Sequence, residues 1–264
     1  MSPTYGIICF RPKKDKHKWE IMMVSRLVSY PYSDFIMHRY EWPNNTEAQQ
    51  KILQTMFNNM TAIERAYIIS LNFNNMWFLR WMSDPELNPQ ISERARIYAE
   101  KQEIFKKRFI NGNNREKIIS AMANSKNISP LDLYEIPKGH PKDGETSLDS
   151  AIREFEEETL LKRLHLSFVT PNGDKLSYRE VCDMKKDPIN ILSPIRYDFT
   201  AADNHKIYTT YYYIAVTDAP ILPSIKIDGI HPIEISDIKW ILTDDQILKK
   251  YTDILKSAIS RITC

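Results

Sequence analysis

A run of acids in a helical frame constrains this chain more than any other stretch. From Leu148 to Leu161 it reads LDSAIREFEEETLL, centred on Arg153-Glu154-Phe155-Glu156-Glu157-Glu158. Leu148, Ala151, Ile152 and Phe155 recur at helical spacing and predict one apolar stripe. Glu154, Glu157 and Glu158 stand three and four residues apart and share a different face. Three carboxylates on one face repel one another unless positive charge lies among them. A solvated helix face would have the same composition. Hard divalent cations, however, choose carboxylate oxygens, keep several waters and bridge to substrate phosphates. A buried stripe backed by such a face suits hydrolysis of a phosphoanhydride.

The spacing around this run is more specific. Gly139 is followed by five residues and Glu145, then by seven residues and Arg153-Glu154, apolar Phe155, one spacer and Glu157-Glu158. This resembles the Nudix box, which continues with one residue, a glycine and an apolar residue. Every charged position is filled, and only the final glycine departs, being Leu160. That glycine lets the helix end in a tight turn, so the helix exit is expected to differ while the metal ligands stay. The resemblance implies an α/β fold, the Nudix α/β/α sandwich, and a Mg²⁺ or Mn²⁺ cofactor. It assigns Glu154, Glu157 and Glu158 to the metal, with Gly139 in the same set. Glu145 opens the helix, where its charge suits the dipole, and has a structural or a catalytic role. Arg153 is expected to hold a carboxylate through a bidentate pair. The general base is Glu154 or a downstream acid; Glu234, just ahead of the segment ISDIKW, is the candidate either for that base or for completing the metal site, against a capping or solvated role. Lys138 enters just before the box and is a candidate phosphate contact.

Composition narrows the setting. A chain of 264 residues holds one large domain or two small ones. With 42% hydrophobic and 27% charged residues it is not a disordered chain. A net charge of +2 leaves nucleic-acid binding to local patches. Cys9, Cys182 and Cys264 are odd in number and scattered, as free thiols in a reducing compartment would be. No stretch approaches membrane-spanning length, and the expectation is a soluble, intracellular protein with no membrane partner.

Read in order, Tyr5–Phe10 and Trp19–Arg26 are strands joined by the basic link RPKKDKHK. A hairpin alone is marginal in water, so these strands must join a sheet built from the rest of the chain. From Leu27 to about Asn127 the pattern turns helical. Ile52, Leu53, Met56, Phe57 and Met60 line one helix. Thr61 and Glu64 form a capping box for the next. Trp77, Phe78 and Trp81 read as helix packing, and Ser92–Phe109 as a long helix with a basic end. Leu131–Pro137, Ile191–Thr200, Lys206–Thr217 and Ile235–Leu242 read as strands, and residues 244–262 as an amphipathic helix. The economical arrangement is an all-helical domain, residues 30–127, inserted between an N-terminal hairpin, 1–29, and the remaining catalytic part, 128–264.

The helical block narrows the resemblance. Phe57-Asn58-Asn59-Met60-Thr61, Phe73-Asn74-Asn75-Met76-Trp77 and the approach Tyr134-Glu135-Ile136-Pro137-Lys138-Gly139 are similar to the viral mRNA-decapping group of Nudix hydrolases, that of African swine fever virus and giant viruses of the mimivirus kind. The similarity covers most of the chain and is weakest over 165–190. It implies hydrolysis of the 5′ cap of capped mRNA in the host cytoplasm, and leaves packaging in the virion open. The products would be methylated guanosine diphosphate and 5′-monophosphate RNA. Tyr30, Tyr32 and Phe35 are candidates for stacking on a base or framing the cleft, with a structural role as the competing reading. Lys101, Lys106, Lys107, Arg108, Arg115 and Lys117 make a basic half of the insertion that either binds RNA or is a solvated face. Two other classes compete: a hydrolase of diphosphoinositol polyphosphates or dinucleotides, and an RNA-binding protein that keeps the fold without catalysis. The complete set of acids at 145, 154, 157 and 158 counts against the second.

Overall fold

Ile7, Ile8, Cys9 and Phe10 are all buried, because the strand that carries them is covered on both faces. In this computed structural model residues 2–13, 18–81, 92–112, 114–184, 187–200, 207–218 and 235–263 are described. The first strands, β1 (Thr4–Pro12) and β2 (Trp19–Arg26), pair antiparallel with Phe10 opposite Ile21. Six helices follow: α1 (Tyr30–Met37), α2 (Thr46–Phe57), α3 (Ala62–Ile69), α4 (Phe73–Trp81), α5 (Ser92–Phe105) and α6 (Arg115–Ala123). Then come β3 (Tyr134–Glu135), β4 (Lys138–Gly139), α7 (Ser147–Thr159), β5 (Ser167–Val169), β6 (Lys175–Ser177), α8 (Tyr178–Asp183) and α9 (Pro188–Leu192). The last elements are β7 (Ile195–Thr200), β8 (Ile207–Val216), β9 (Ile235–Leu242) and α10 (Thr252–Thr263).

The chain divides into two compact units, one of residues 1–25, 134–225 and 237–264, the other of residues 26–133 and 226–236. In the first, nine strands form one sheet among the described residues. Its main path runs β3-β2-β1-β8-β5-β6, with β4 on β1, β7 on β8 and β9 on β2. β1 runs parallel to β8, Tyr5 beside Tyr211 and Phe10 beside Val216. The hairpin therefore sits inside a sheet completed by strands from the far half of the sequence. Ile8, Phe10, Tyr212, Ile214 and Val216 face α10, whose Leu255, Ala258 and Ile262 share their core. Ile7, Cys9, Tyr213 and Ala215 alternate to the other face. There α7 packs, with the Ser147 and Tyr213 hydroxyls 2.7 Å apart. Helices cover both faces of the sheet, the expected α/β/α sandwich.

The second unit is helical and has its own core, in which Tyr32, Phe35, Leu53, Phe57, Trp77, Phe105 and Phe109 are buried. The predicted capping box at Thr61 and Glu64 forms. Arg65 then ties α3 to the end of α6, donating to the Ser125 carbonyl at 3.2 Å and to Asn127 at 2.5 Å.

Some boundaries differ from the expectations. The segment 131–137 is a strand only at Tyr134–Glu135, because Ser129 donates to the Asp132 carboxylate and turns Pro130–Leu133 into a 3₁₀ helix. Residues 191–200 begin with the end of α9, which Asp187 caps. The basic end expected of the long helix is a π-helical turn, Lys106–Ile110. The C-terminal helix opens as a 3₁₀ turn, Gln246–Tyr251, capped by Asp245.

Candidate active site

The acidic helix α7 starts where its sequence supplies a cap. Thr146 has extended backbone and its hydroxyl accepts from the Asp149 amide at 3.1 Å. Leu148, Ala151, Ile152 and Phe155 are buried as the stripe predicts. The helix ends at Leu160, which takes the left-handed conformation at φ +58° and donates its amide to the Glu156 carbonyl. The exit is thus the turn that glycine makes elsewhere, imposed here on a leucine.

Arg153 organises the carboxylates. It grips Glu145 with two nitrogens, at 2.6 and 2.9 Å, in the expected bidentate pair. It also donates to Glu154 at 2.6 Å, to Glu157 at 3.1 Å and to the His140 carbonyl at 2.9 Å. The Lys142 amide donates to Glu145 at 2.8 Å, and the Lys142 ammonium lies 3.5 Å from Glu157. These donors, Arg153 foremost and then the Lys142 amide, hold Glu145 down to about 2. Glu145 in return raises Arg153. Glu156, the spacer of the motif, turns away and takes Arg163, with nitrogens at 2.7 and 3.2 Å.

Gly139 leaves space that the Glu154 carboxylate occupies. A Cβ there would collide with the Glu154 carboxylate, so the residue makes room for an acid instead of ligating through a side chain. β4 holds it in place, with Tyr5 opposite Gly139 and Gly6 opposite Lys138. The Lys138 amide donates to Glu158 at 3.2 Å. Its ammonium pairs with Glu135 at 2.5 Å, and both side chains are largely buried, at 19% and 11% exposure. Sequence reasoning did not single out Glu135. A strand would place residues 135 and 138 on opposite faces, and only the break at Pro137 between β3 and β4 brings them together.

The donor set suits a hard divalent cation, since Glu154, Glu157 and Glu158 supply carboxylate oxygens along one helix face beside Gly139. Among the described residues no three acidic, imidazole or thiol groups converge as a metal-binding cluster. Glu154 and Glu157 lean on Arg153, and Glu158 on the Lys138 amide. Arg153 thus supplies the positive charge that three neighbouring carboxylates need, and a cation bound here would share the acids with it.

Other candidates fall elsewhere. Glu234 lies outside the described residues. Tyr32 and Phe35 are fully buried in the helical core, so their rings have no face for a base, which corrects that assignment. Their helical spacing fills a core instead. Tyr30 is 53% exposed, with the Arg26 guanidinium 4.0 Å over its ring. Of the basic residues, Lys107 and Arg115 are exposed. Lys101 pairs with Glu100 at 2.8 Å and Lys106 with Glu103 at 3.0 Å. Lys117 donates to Gln49. Arg108 lies 4.9 Å over Trp42 and 5.3 Å over Tyr40.

Residues 110–260 match the NUDIX domain. The chain is 33% identical over 178 residues to the mRNA-decapping protein g5R of an African swine fever virus isolate from a Namibian warthog, covering 67% of each chain. It is 34% identical over 180 residues to the g5R protein of a Kenyan pig isolate, covering 68% of each. Among solved structures an Ap4A hydrolase of C. elegans is similar at 11% identity, covering 100% of this chain and 96% of that one, with a TM-score of 0.37. That likeness is too loose to carry an argument.

Proposed function

Since the chain belongs to the Nudix family, we propose that it is an mRNA-decapping hydrolase, cleaving the pyrophosphate linkage of the 5′ cap to release methylated guanosine diphosphate and 5′-monophosphate RNA. The observation that carries the reading is the arrangement of Arg153 among Glu145, Glu154 and Glu157 on a helix packed behind Gly139. The two g5R relatives, each alike over about two thirds of its length, are named as decapping proteins. The place of action is the cytoplasm of a host cell, where capped mRNA is found.

Nudix hydrolases use divalent cations, and Mg²⁺ or Mn²⁺ is the proposed ion, held by Glu154, Glu157 and Glu158. Bound there, such an ion would supply Lewis-acid polarisation of a phosphate and a lowered pKa for water. The chain's own residues do the rest. Glu145 fixes the guanidinium of Arg153, and Arg153 in turn sets the rotamers of Glu154 and Glu157. Glu135 holds the Lys138 ammonium near the start of the box, where it is the proposed contact for a phosphate. Glu234 is the proposed general base. The basic side of the helical unit, with exposed Lys107 and Arg115, is the proposed contact for the RNA body.

RNA labelled in its cap tests this. The wild type in Mg²⁺ or Mn²⁺ is expected to release methylated guanosine diphosphate, and Glu157→Gln to lose at least a hundredfold in kcat. Near-normal kcat in Glu234→Gln would remove the base assignment. Hydrolysis of diphosphoinositol phosphates or dinucleotides with no release from RNA would overturn decapping and leave a small-molecule hydrolase.

A further inference from the structure

The first unit carries a cleft of about 440 Å³ that shares no residue with the acidic helix. Its walls include Pro12 and Trp19, at the two ends of the β1–β2 turn, His165 and Ser167 around the start of β5, Lys175 on β6, and Asp218 after β8. The Trp19 indole stands edge-on to Phe10, ring centres 6.3 Å apart, and is half exposed. His165, Lys175 and Asp218 are exposed. The cleft thus combines an aromatic surface, one lysine, one histidine, and a carboxylate able to accept from an amine.

We propose that this cleft binds one nucleotide unit of the RNA body, with the base against Trp19, the phosphate beside Lys175 and His165, and a base amino group on Asp218. The identity of the RNA as a decapping substrate rests on the reading above. Stacking on an aromatic side chain tolerates any base, and Lys phosphate contacts add a salt-dependent term. A carboxylate accepts from an exocyclic amino group, as acidic side chains do from cytosine N4. The cleft lies within reach of an RNA whose cap is held at the acidic helix. Gly139 lies opposite Tyr5, and β1 from Tyr5 to Pro12 spans roughly 23 Å at about 3.3 Å per residue. A stacked strand advancing about 3.4 Å per nucleotide covers that in roughly seven nucleotides. A free nucleotide offers the same chemistry, and the experiment separates the two sources.

Fluorescence anisotropy of a labelled 12-nucleotide 5′-monophosphate RNA reads the site directly. Trp19→Ala and Lys175→Glu are each expected to weaken binding about tenfold, with Lys256→Glu on α10 as a charge-matched control outside the cleft. Trp19 is half buried, so Lys175→Glu, exposed on β6, carries the test if the first variant does not fold. Unchanged affinity in Lys175→Glu, or an equal loss in Lys256→Glu, would overturn the proposal. Displacement of the RNA by an equal concentration of AMP would also overturn it, in favour of a free-nucleotide site. A capped trinucleotide is too short to reach the cleft, and both variants are expected to decap it at the wild-type rate. If the wild type releases nothing from any capped RNA, the decapping reading fails, while the anisotropy still decides the cleft.

Discussion

Leu160 stands at φ +58° where the Nudix box has glycine. Left-handed backbone costs an L-residue with a Cβ roughly 1 kcal/mol or more, and glycine escapes that cost. Leu160 is 45% exposed, so its side chain returns only part of this by burial. Leu160→Gly is expected to stabilise the protein by about 1 kcal/mol, read as a higher urea midpoint at unchanged slope. A lower midpoint would show that the leucine's contacts outweigh the strain. Glu145 makes a prediction with a sign. Arg153 and the Lys142 amide lower its folded value from 4.5 to about 2. A depressed carboxylate stabilises the fold above its unfolded pKa and loses that contribution as pH falls through the folded one. Glu145→Gln should therefore be less stable than wild type at neutral pH, with the gap closing between about pH 4.5 and 2. A gap that stays constant down to pH 2 would mean that Glu145 contributes no charge-dependent stability. The role of Arg153 was legible in the spacing, but the number of acids it gathers was not. Its reach to the His140 carbonyl depends on how the loop after Gly139 folds back.

At the scale of elements, Glu64 shows what a local motif leaves open. The capping box with Thr61 follows from four residues of sequence. The same carboxylate also accepts from the Ser29 amide at the start of α1 and is 2% exposed. It accepts from the Thr61 amide at 2.6 Å, so one buried acid satisfies the first turns of two helices. Glu64→Ala would leave both buried amides without that acceptor and is expected to cost about 2–4 kcal/mol. Glu64→Gln keeps one acceptor oxygen and should cost clearly less. Chemical denaturation of the two variants checks this, and equal losses would show that the single oxygen kept in Glu64→Gln preserves none of the stabilisation. The short strands β3 and β4 were harder to read. Ser129 and Asp132 form a local turn that competes with strand pairing, and Pro137 removes an amide from the ladder between them.

At the scale of the molecule, the question is how residues 1–29 belong with 128–264. β1 is buried on both faces and supplies the parallel neighbour of β8. Residues 30–127, which we propose as an inserted RNA-binding domain, have a separate core of their own. Limited proteolysis is expected to cut in the exposed connector near 125–130 and not at buried Val28 and Ser29, while the pieces stay together on a sizing column. A stable, folded fragment 128–264 would overturn the insertion, because that fragment lacks β1. The match of residues 110–260 to the NUDIX domain does not include the hairpin.

The sequence by itself determined the acidic helix, its buried stripe, the pairing of Arg153 with an acid, and the helical character of the block after β2. These depend on spacings of three to eight residues, which helix geometry converts directly into neighbours. Only the tertiary structure decided which aromatics are core and which surface. Tyr30, Tyr32 and Phe35 read alike in sequence, yet Tyr30 is exposed and the other two are buried among helices far along the chain. It also decided that Glu135 meets Lys138 and that a cleft opens at Trp19. Such contacts come from a chain break at a proline or from strands paired across two hundred residues, where no local period survives to announce them.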